Sequence, residues 1–137
     1  MYLLDTNVVS ELRKARTANR RVLAWAASVP APSLYLSAIS VLELEIGVLR
    51  IERRDPTQGA LLRAWLDKQV LPAFDGRVLP VDTAVAQRCA RLHVPDPRSD
   101  RDALIAATAL THGMTVITRN TADFIPTGVP VLDPWLD

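Results

Sequence analysis

The chain has 137 residues, 49% of them hydrophobic and 23% charged, which suits one globular domain and excludes a second full one. Its 16 Lys and Arg against 15 Asp and Glu leave a formal net charge of +1, so no long-range field of one sign draws in a polyanion, which a local patch would have to hold. The single cysteine, Cys89, excludes an internal disulfide and a thiolate metal cluster. With no signal-peptide pattern and no membrane-length apolar run, the expectation is a cytoplasmic protein without membrane attachment.

Tyr2-Leu3-Leu4 reads as a short buried strand that stops at Asp5-Thr6-Asn7. Val8, Val9 and Leu12, then Val22, Leu23, Trp25 and Ala26, recur at helical spacing with a break near Arg16-Thr17, which predicts a helical hairpin. Leu34-Tyr35-Leu36 is the second strand, and a helix starting within Ser37-Ala38-Ile39-Ser40 runs to about Arg53 before Asp55-Pro56. Leu61, Leu62, Trp65, Leu66 and Val70 form the stripe of another helix, closed by Pro72 and Asp75-Gly76, and the pair is expected to make a partly exposed arm. Val78-Leu79-Pro80-Val81 is a strand, and Asp82 or Thr83 caps a helix holding Val85, Cys89 and Leu92. After the Pro95-Asp96-Pro97 loop come an alanine-rich helix from Asp102 to Thr111 stopped by Gly113, the strand Met114 to Ile117, and an edge strand around Pro130. Strands alternating with helices predict an α/β fold, a parallel sheet covered on both faces.

In such sheets the ligand crevice lies at the carboxyl ends of the strands. Asp5 ends the first strand, Glu43 follows the second, Asp102 opens a late helix, and Asp123 follows the strand that ends at Thr118. Carboxylates gathered in one crevice repel unless a hard cation neutralises them, and oxygen donors of this kind suit magnesium or manganese. Each acid also has a plain helix-start reading: Ser40 with Glu43 and Ser99 with Asp102 fit capping boxes, Asp5 fits an N-cap, and Asp123 a turn.

Four stretches in order carry a family resemblance: Leu4-Asp5-Thr6-Asn7, Ser40 to Gly47, Asp102 to Ala109, and Thr118 to Phe124, followed by Asp133-Pro134-Trp135. Together they resemble the motifs of PIN-domain ribonucleases, most closely the VapC and FitB-like toxins of type II toxin–antitoxin pairs. The resemblance implies a PIN-like three-layer sandwich, with a mostly parallel central sheet flanked by helices, formed by residues 1–137 as a single domain. It implies a magnesium-dependent endoribonuclease, with manganese as a substitute, whose catalytic and metal-binding acids are Asp5, Glu43, Asp102 and Asp123. Asn120 either offers its carbonyl oxygen to the metal or only orients Asp123, while Thr6, Asn7 and Thr118 hold carboxylates or water from behind. A metal-activated water would be the nucleophile, with Asp102 or Glu43 taking its proton and one or two ions taking part. The partners implied are an RNA substrate, a second copy of the chain, and an antitoxin whose C-terminal segment fills the acidic groove, in an assembly that can extend to operator DNA.

Arg13, Lys14 and Arg16, with Arg20 and Arg21, form a basic cluster suited to RNA phosphates or to a solvated helix face. Glu45 reads as a solvated helix residue, His93 and His112 as helix-end groups, and Trp25, Trp65, Trp135 and Cys89 as packing residues. Two other readings stand beside the nuclease. One is a PIN-like module that binds RNA or a partner with weak catalysis; the other is a phosphatase of the haloacid dehalogenase type, which needs a second Asp where this chain has Asn7.

Overall fold

Leu3 and Leu4 are sequence neighbours that point to opposite faces of one strand, and this alternation divides the core in two. In the computed structural model, which describes residues 1–14 and 16–136, that strand, β1 (Tyr2–Leu4), is the middle of a five-stranded sheet ordered β3-β2-β1-β4-β5. The others are β2 (Leu34–Ser37), β3 (Val78–Leu79), β4 (Thr115–Ile117) and β5 (Val131–Leu132). Every neighbouring pair among them is parallel, so the sheet expected to be mostly parallel is wholly so.

On one face Leu4, Leu36 and Ile117 pack with Val8 and Val9 of α1 (Thr6–Leu12), Val22 of α2 (Arg20–Ser28), and Leu44 and Val48 of α3 (Ala38–Arg54). Leu66 and Val70, beyond α4 (Pro56–Trp65), complete that layer. The short α5 (Leu71–Ala73) follows, and α6 (Thr83–Leu92) leads across to the opposite face. There Leu3 and Val116 meet Ile105, Ala106 and Ala109 of α7 (Asp100–His112) and Phe124 of α8 (Thr121–Phe124). The alanines of α7 leave room for a second contact on its outer side, where Ala103 and Ala107 pack against Val85 and Cys89 of α6. Two helical layers thus enclose the sheet, the sandwich expected from the alternation of elements.

Several local expectations are corrected. Glu43 is not part of a capping box with Ser40: the cap of α3 is Ser37, whose Oγ accepts from Ile39 N at 3.0 Å. Ser40 is buried inside the helix, and its Oγ has no hydrogen-bond partner among the described residues. Ser99 stands at the N-cap of α7 without a side-chain cap bond. The helix through Leu61 closes around Pro72 and the turn at Gly76 as expected, but before it ends it widens into a π turn over Leu66–Val70 and re-forms as α5. A proline ring collides with the carbonyl four residues back and donates no N–H, and a π turn absorbs that mismatch. The chain then reverses at Gly76, whose φ of 76° lies in the left-handed region. β3 is limited to two residues because Pro80 brings no N–H to the ladder. The arm is partly exposed as expected, with Leu61 62% exposed, but Leu66 of the same stripe is fully buried.

Glu45 is not merely solvated. Arg63 on α4 donates to Glu45 Oε1 at 2.9 Å and to Glu52 at 3.2 and 3.3 Å, tying α4 to the helix that carries Glu43. The two helices come closest at Gly59, where an added Cβ would stand 2.8 Å from Glu52 N. Helix propensity favours Ala over Gly by about 1 kcal/mol, but here steric overlap dominates. Gly59→Ala is therefore expected to lower stability by about 1–3 kcal/mol, measured by denaturant unfolding; a stabilised variant would show that the helices can part without loss.

Candidate functional site

The strand order changes direction at β1: the chain proceeds outward through β2 and β3, then returns to the other side for β4 and β5. Such a switch point opens a crevice at the carboxyl ends of the strands. Leu4 pairs in register with Ile117, so the residues that follow them, Asp5 and Thr118, stand side by side. Asp5 N continues the ladder by donating to Ile117 O at 2.9 Å.

Asp5 is 6% exposed and also caps α1. Its Oδ1 accepts from Thr6 N at 2.8 Å, and its Oδ2 accepts from Thr118 Oγ1 at 2.8 Å and Asn7 Nδ2 at 3.3 Å. Thr118 Oγ1 in turn accepts from Asn120 N at 2.9 Å. Thr6 turns its hydroxyl outward and donates to Glu43 Oε1 at 2.7 Å. Asn7 is thus an amide that steadies Asp5, and no acid stands where a dehalogenase-type phosphatase requires one.

Asp5, Thr6, Asn7, Glu43, Asp102 and Asn120 line one open cleft of about 490 Å³. Asp123 is exposed and lines the adjoining hollow behind Asp102, with Arg98 and Ser99. Its charge nevertheless reaches both Asp5 and Asp102. Burial pushes the Asp5 carboxyl above its ordinary range; the bonds from Thr118 and Thr6 pull it down, and the charges of Glu43 and Asp123 push it up. Asp102, half-buried in the first turn of α7, is pushed up to about 6 by burial first and then by the charges of Asp5, Asp123 and Glu43. The acids therefore share one electrostatic site, although no three Asp, Glu, His or Cys side chains among the described residues form a closed metal cage.

The basic residues separate. Lys14 lines the acidic cleft, its Nζ 3.3 Å from Glu11 Oε1. Arg13 instead lies over the Trp65 ring at 5.8 Å, beside an apolar hollow formed by Leu4, Val9, Leu12 and Phe74. Arg16 is exposed and outside the cleft lining. Sequence reasoning missed Ser10, Glu11 and Arg119 on the cleft wall, and Arg101, whose Nη1 stands 3.8 Å from Glu43 Oε2. Ser10 and Glu11 were open to discovery, since they lie one helical turn beyond Thr6 and Asn7. Trp135, expected only to pack, also lines the cleft.

Comparison with known proteins gives a consistent result. A family model described as PIN domain matches residues 2–125. The chain is 41% identical over 143 residues to VapC ribonuclease Y4jK of Sinorhizobium fredii, covering 98% of each. It is 39% identical over 142 residues to toxin FitB of Neisseria gonorrhoeae, covering all of both. A solved structure of FitAB bound to an IR36 DNA fragment superposes with a TM-score of 0.89 at 38% identity, covering 98% of this chain and 96% of that one.

The raised carboxyls make a pH prediction. An acid that holds its proton more tightly when folded adds stability as pH falls from its folded toward its unfolded pKa, for Asp102 from about 6 toward 3.8. Asp5 acts in the same direction, while Glu11 and Glu45, held low by their hydrogen bonds, weaken the fold only below about 4.5. In EDTA the protein is expected to melt higher at about pH 5 than at about pH 7. Asp102→Asn should raise the melting temperature at the higher pH and flatten the profile; an unchanged profile would remove Asp102 as its source.

Proposed function

The chain belongs to the PIN-domain family, and from that membership we propose that it is a divalent-metal-dependent endoribonuclease, the toxin of a type II toxin–antitoxin pair, with residues 1–137 acting as one domain. The observation that carries this reading is the buried Asp5 carboxylate, braced on both oxygens and within electrostatic reach of Glu43, Asp102 and Asp123. A charge cluster of this kind is costly unless a cation balances it. Its donors are hard oxygens, and its open form suits an ion that keeps several waters, as magnesium does. Asp5, Glu43 and Asp102 are the residues that would hold the ion, with Asp123 or Asn120 completing the set. Magnesium or manganese, when bound, would make water nucleophilic near neutral pH and neutralise charge growing on the scissile phosphate.

The chain's own residues do the rest. Thr118 and Asn7 fix the Asp5 oxygen that would otherwise swing, and Thr6 couples the Glu43 carboxylate to the same turn. Asp102 or Glu43 accepts the proton of the attacking water. Lys14, on the cleft wall, meets the phosphates that flank the cleaved bond. The relatives named as ribonuclease and as toxin, and the neighbour solved as FitAB on DNA, support RNA as substrate, an antitoxin partner and operator DNA for this chain; a second copy of the chain and the seating of the antitoxin over the acidic groove complete the proposed assembly. No helix among the described residues is long and apolar enough to cross a membrane, which fits a substrate met in water.

Purified protein freed of antitoxin is expected to cut RNA of its source cell at defined sites in magnesium or manganese and to stop in EDTA. Asp5→Asn should lower kcat by at least about a hundredfold; RNA binding without metal-dependent cleavage would favour a binding module instead. Thr118→Val removes the hydroxyl that donates to Asp5 and accepts from Asn120 N and Asn7 Nδ2, and the magnesium needed for half-maximal rate should rise about tenfold. An unchanged magnesium requirement would show that Thr118 serves the fold alone.

A further inference from the structure

The mouth of the cleft carries a flat cationic and aromatic pair that the acid chemistry leaves unused. The Arg119 guanidinium carbon lies 5.3 Å from the centroid of the Trp135 ring, and both residues line the cleft with Asp5, Glu43 and Asp102. Arg119 is exposed, Trp135 only partly buried, and Arg119 makes no ion pair among the described residues even though Glu11 is close enough to sense its charge. Trp135 packs against the core cluster that holds Leu4, Val8 and Ile117, while Arg119 covers its ring at the cleft mouth and is itself exposed and not committed to an acid.

Both groups are held in place from behind. Arg119 N donates to Asn7 Oδ1 at 3.4 Å, and Asn7 donates to Asp5, so the arginine is anchored to the residue that steadies the central acid. Trp135 N donates to Asp133 Oδ1 at 2.8 Å, and Arg21 Nη1 lies 3.4 and 3.3 Å from the carbonyls of Trp135 and Leu136, to which it donates. Planar guanidinium and indole surfaces take a nucleobase by stacking, whatever its identity, provided the base is unpaired.

We propose that Arg119 and Trp135 form a stacking platform that holds one nucleobase beside the cleaved phosphate, Arg119 presenting its guanidinium plane to the base. This rests on the nuclease reading and adds to it the residues that hold a base. The platform explains how a chain with a net charge of +1 retains RNA next to an acidic cluster: part of the hold comes from stacking, which acidic neighbours do not cancel.

The test measures affinity for a short single-stranded oligouridylate and for an abasic ribose-phosphate chain of equal length, by fluorescence anisotropy in calcium, a hard cation that neutralises the carboxylates. Wild-type protein should prefer the base-bearing chain by about tenfold. Arg119→Lys keeps the charge without the plane; it should lose most of that preference while binding the abasic chain as before. Arg119→Ala should lose the preference and weaken both chains, and Trp135→Phe, which retains a ring, should keep a measurable part of it. Equal wild-type affinity for the two chains, or a preference unchanged in Arg119→Ala, overturns the platform. Magnesium-dependent hydrolysis measured on the same preparations separates the two readings: cleavage without base preference overturns the platform alone, whereas neither cleavage nor binding overturns both.

Discussion

A carboxylate at the carboxyl end of the central strand, held between the backbone of its own helix and the threonine that follows the neighbouring strand β4, is the constraint around which this molecule is arranged. Asp5 is buried, and a buried charge is tolerated only where donors or a counterion replace the lost water. Thr6 N, Asn7 Nδ2 and Thr118 Oγ1 are those donors. Their supply depends on the register of β1 against β4, Leu4 with Ile117. A slip by one residue would turn Thr118 to the other face and leave the acid without its strongest brace.

That brace also links the two sides of the fold. α1 starts on Asp5, so the helix that brings Ser10, Glu11 and Lys14 to the cleft is fixed to the same residue that organises the acids. Glu43 arrives from α3, whose start is set by Ser37 at the end of β2 and whose body is tied to α4 through Arg63. Partly exposed ion pairs add little net stability. Their consequence here is geometric, because Arg63 holds α4 against the helix that presents Glu43.

Charge is distributed unevenly within a nearly neutral chain. Four acids interact across the cleft, while Lys14, Arg101 and Arg119 stand around it. On the nuclease reading the centre recruits the cation and the rim receives the polyanion, which removes any need for a strongly basic surface. The same uneven distribution suits occupation of the groove by a partner that brings its own positive charge.

Legibility in the sequence followed locality. Asp5 and Asp102 could be read because one follows a strand and the other opens a helix, and Glu43 because it lies early in the helix after the second strand; the alternation of apolar strands with helical stripes led to a parallel sheet covered on both faces. Ser40 was misread as a cap because backbone conformation decides which of several nearby serines turns its hydroxyl to the helix end, and Ser37 takes that role in α3; Ser99 does stand at the N-cap of α7, but without the side-chain bond. Arg13 and Lys14 are adjacent in sequence, yet one lies over Trp65 and the other on the acidic cleft, since successive residues at a helix end point in different directions. Arg119 with Trp135, Arg101 with Glu43, and Thr118 with Asp5 were beyond periodicity altogether. The sequence alone determined the elements and the residue types at their ends, because those follow from short-range patterns of apolar and capping residues. Only the tertiary structure decided which ends meet, because that depends on strand order and register, which bring distant segments together through contacts no local pattern encodes.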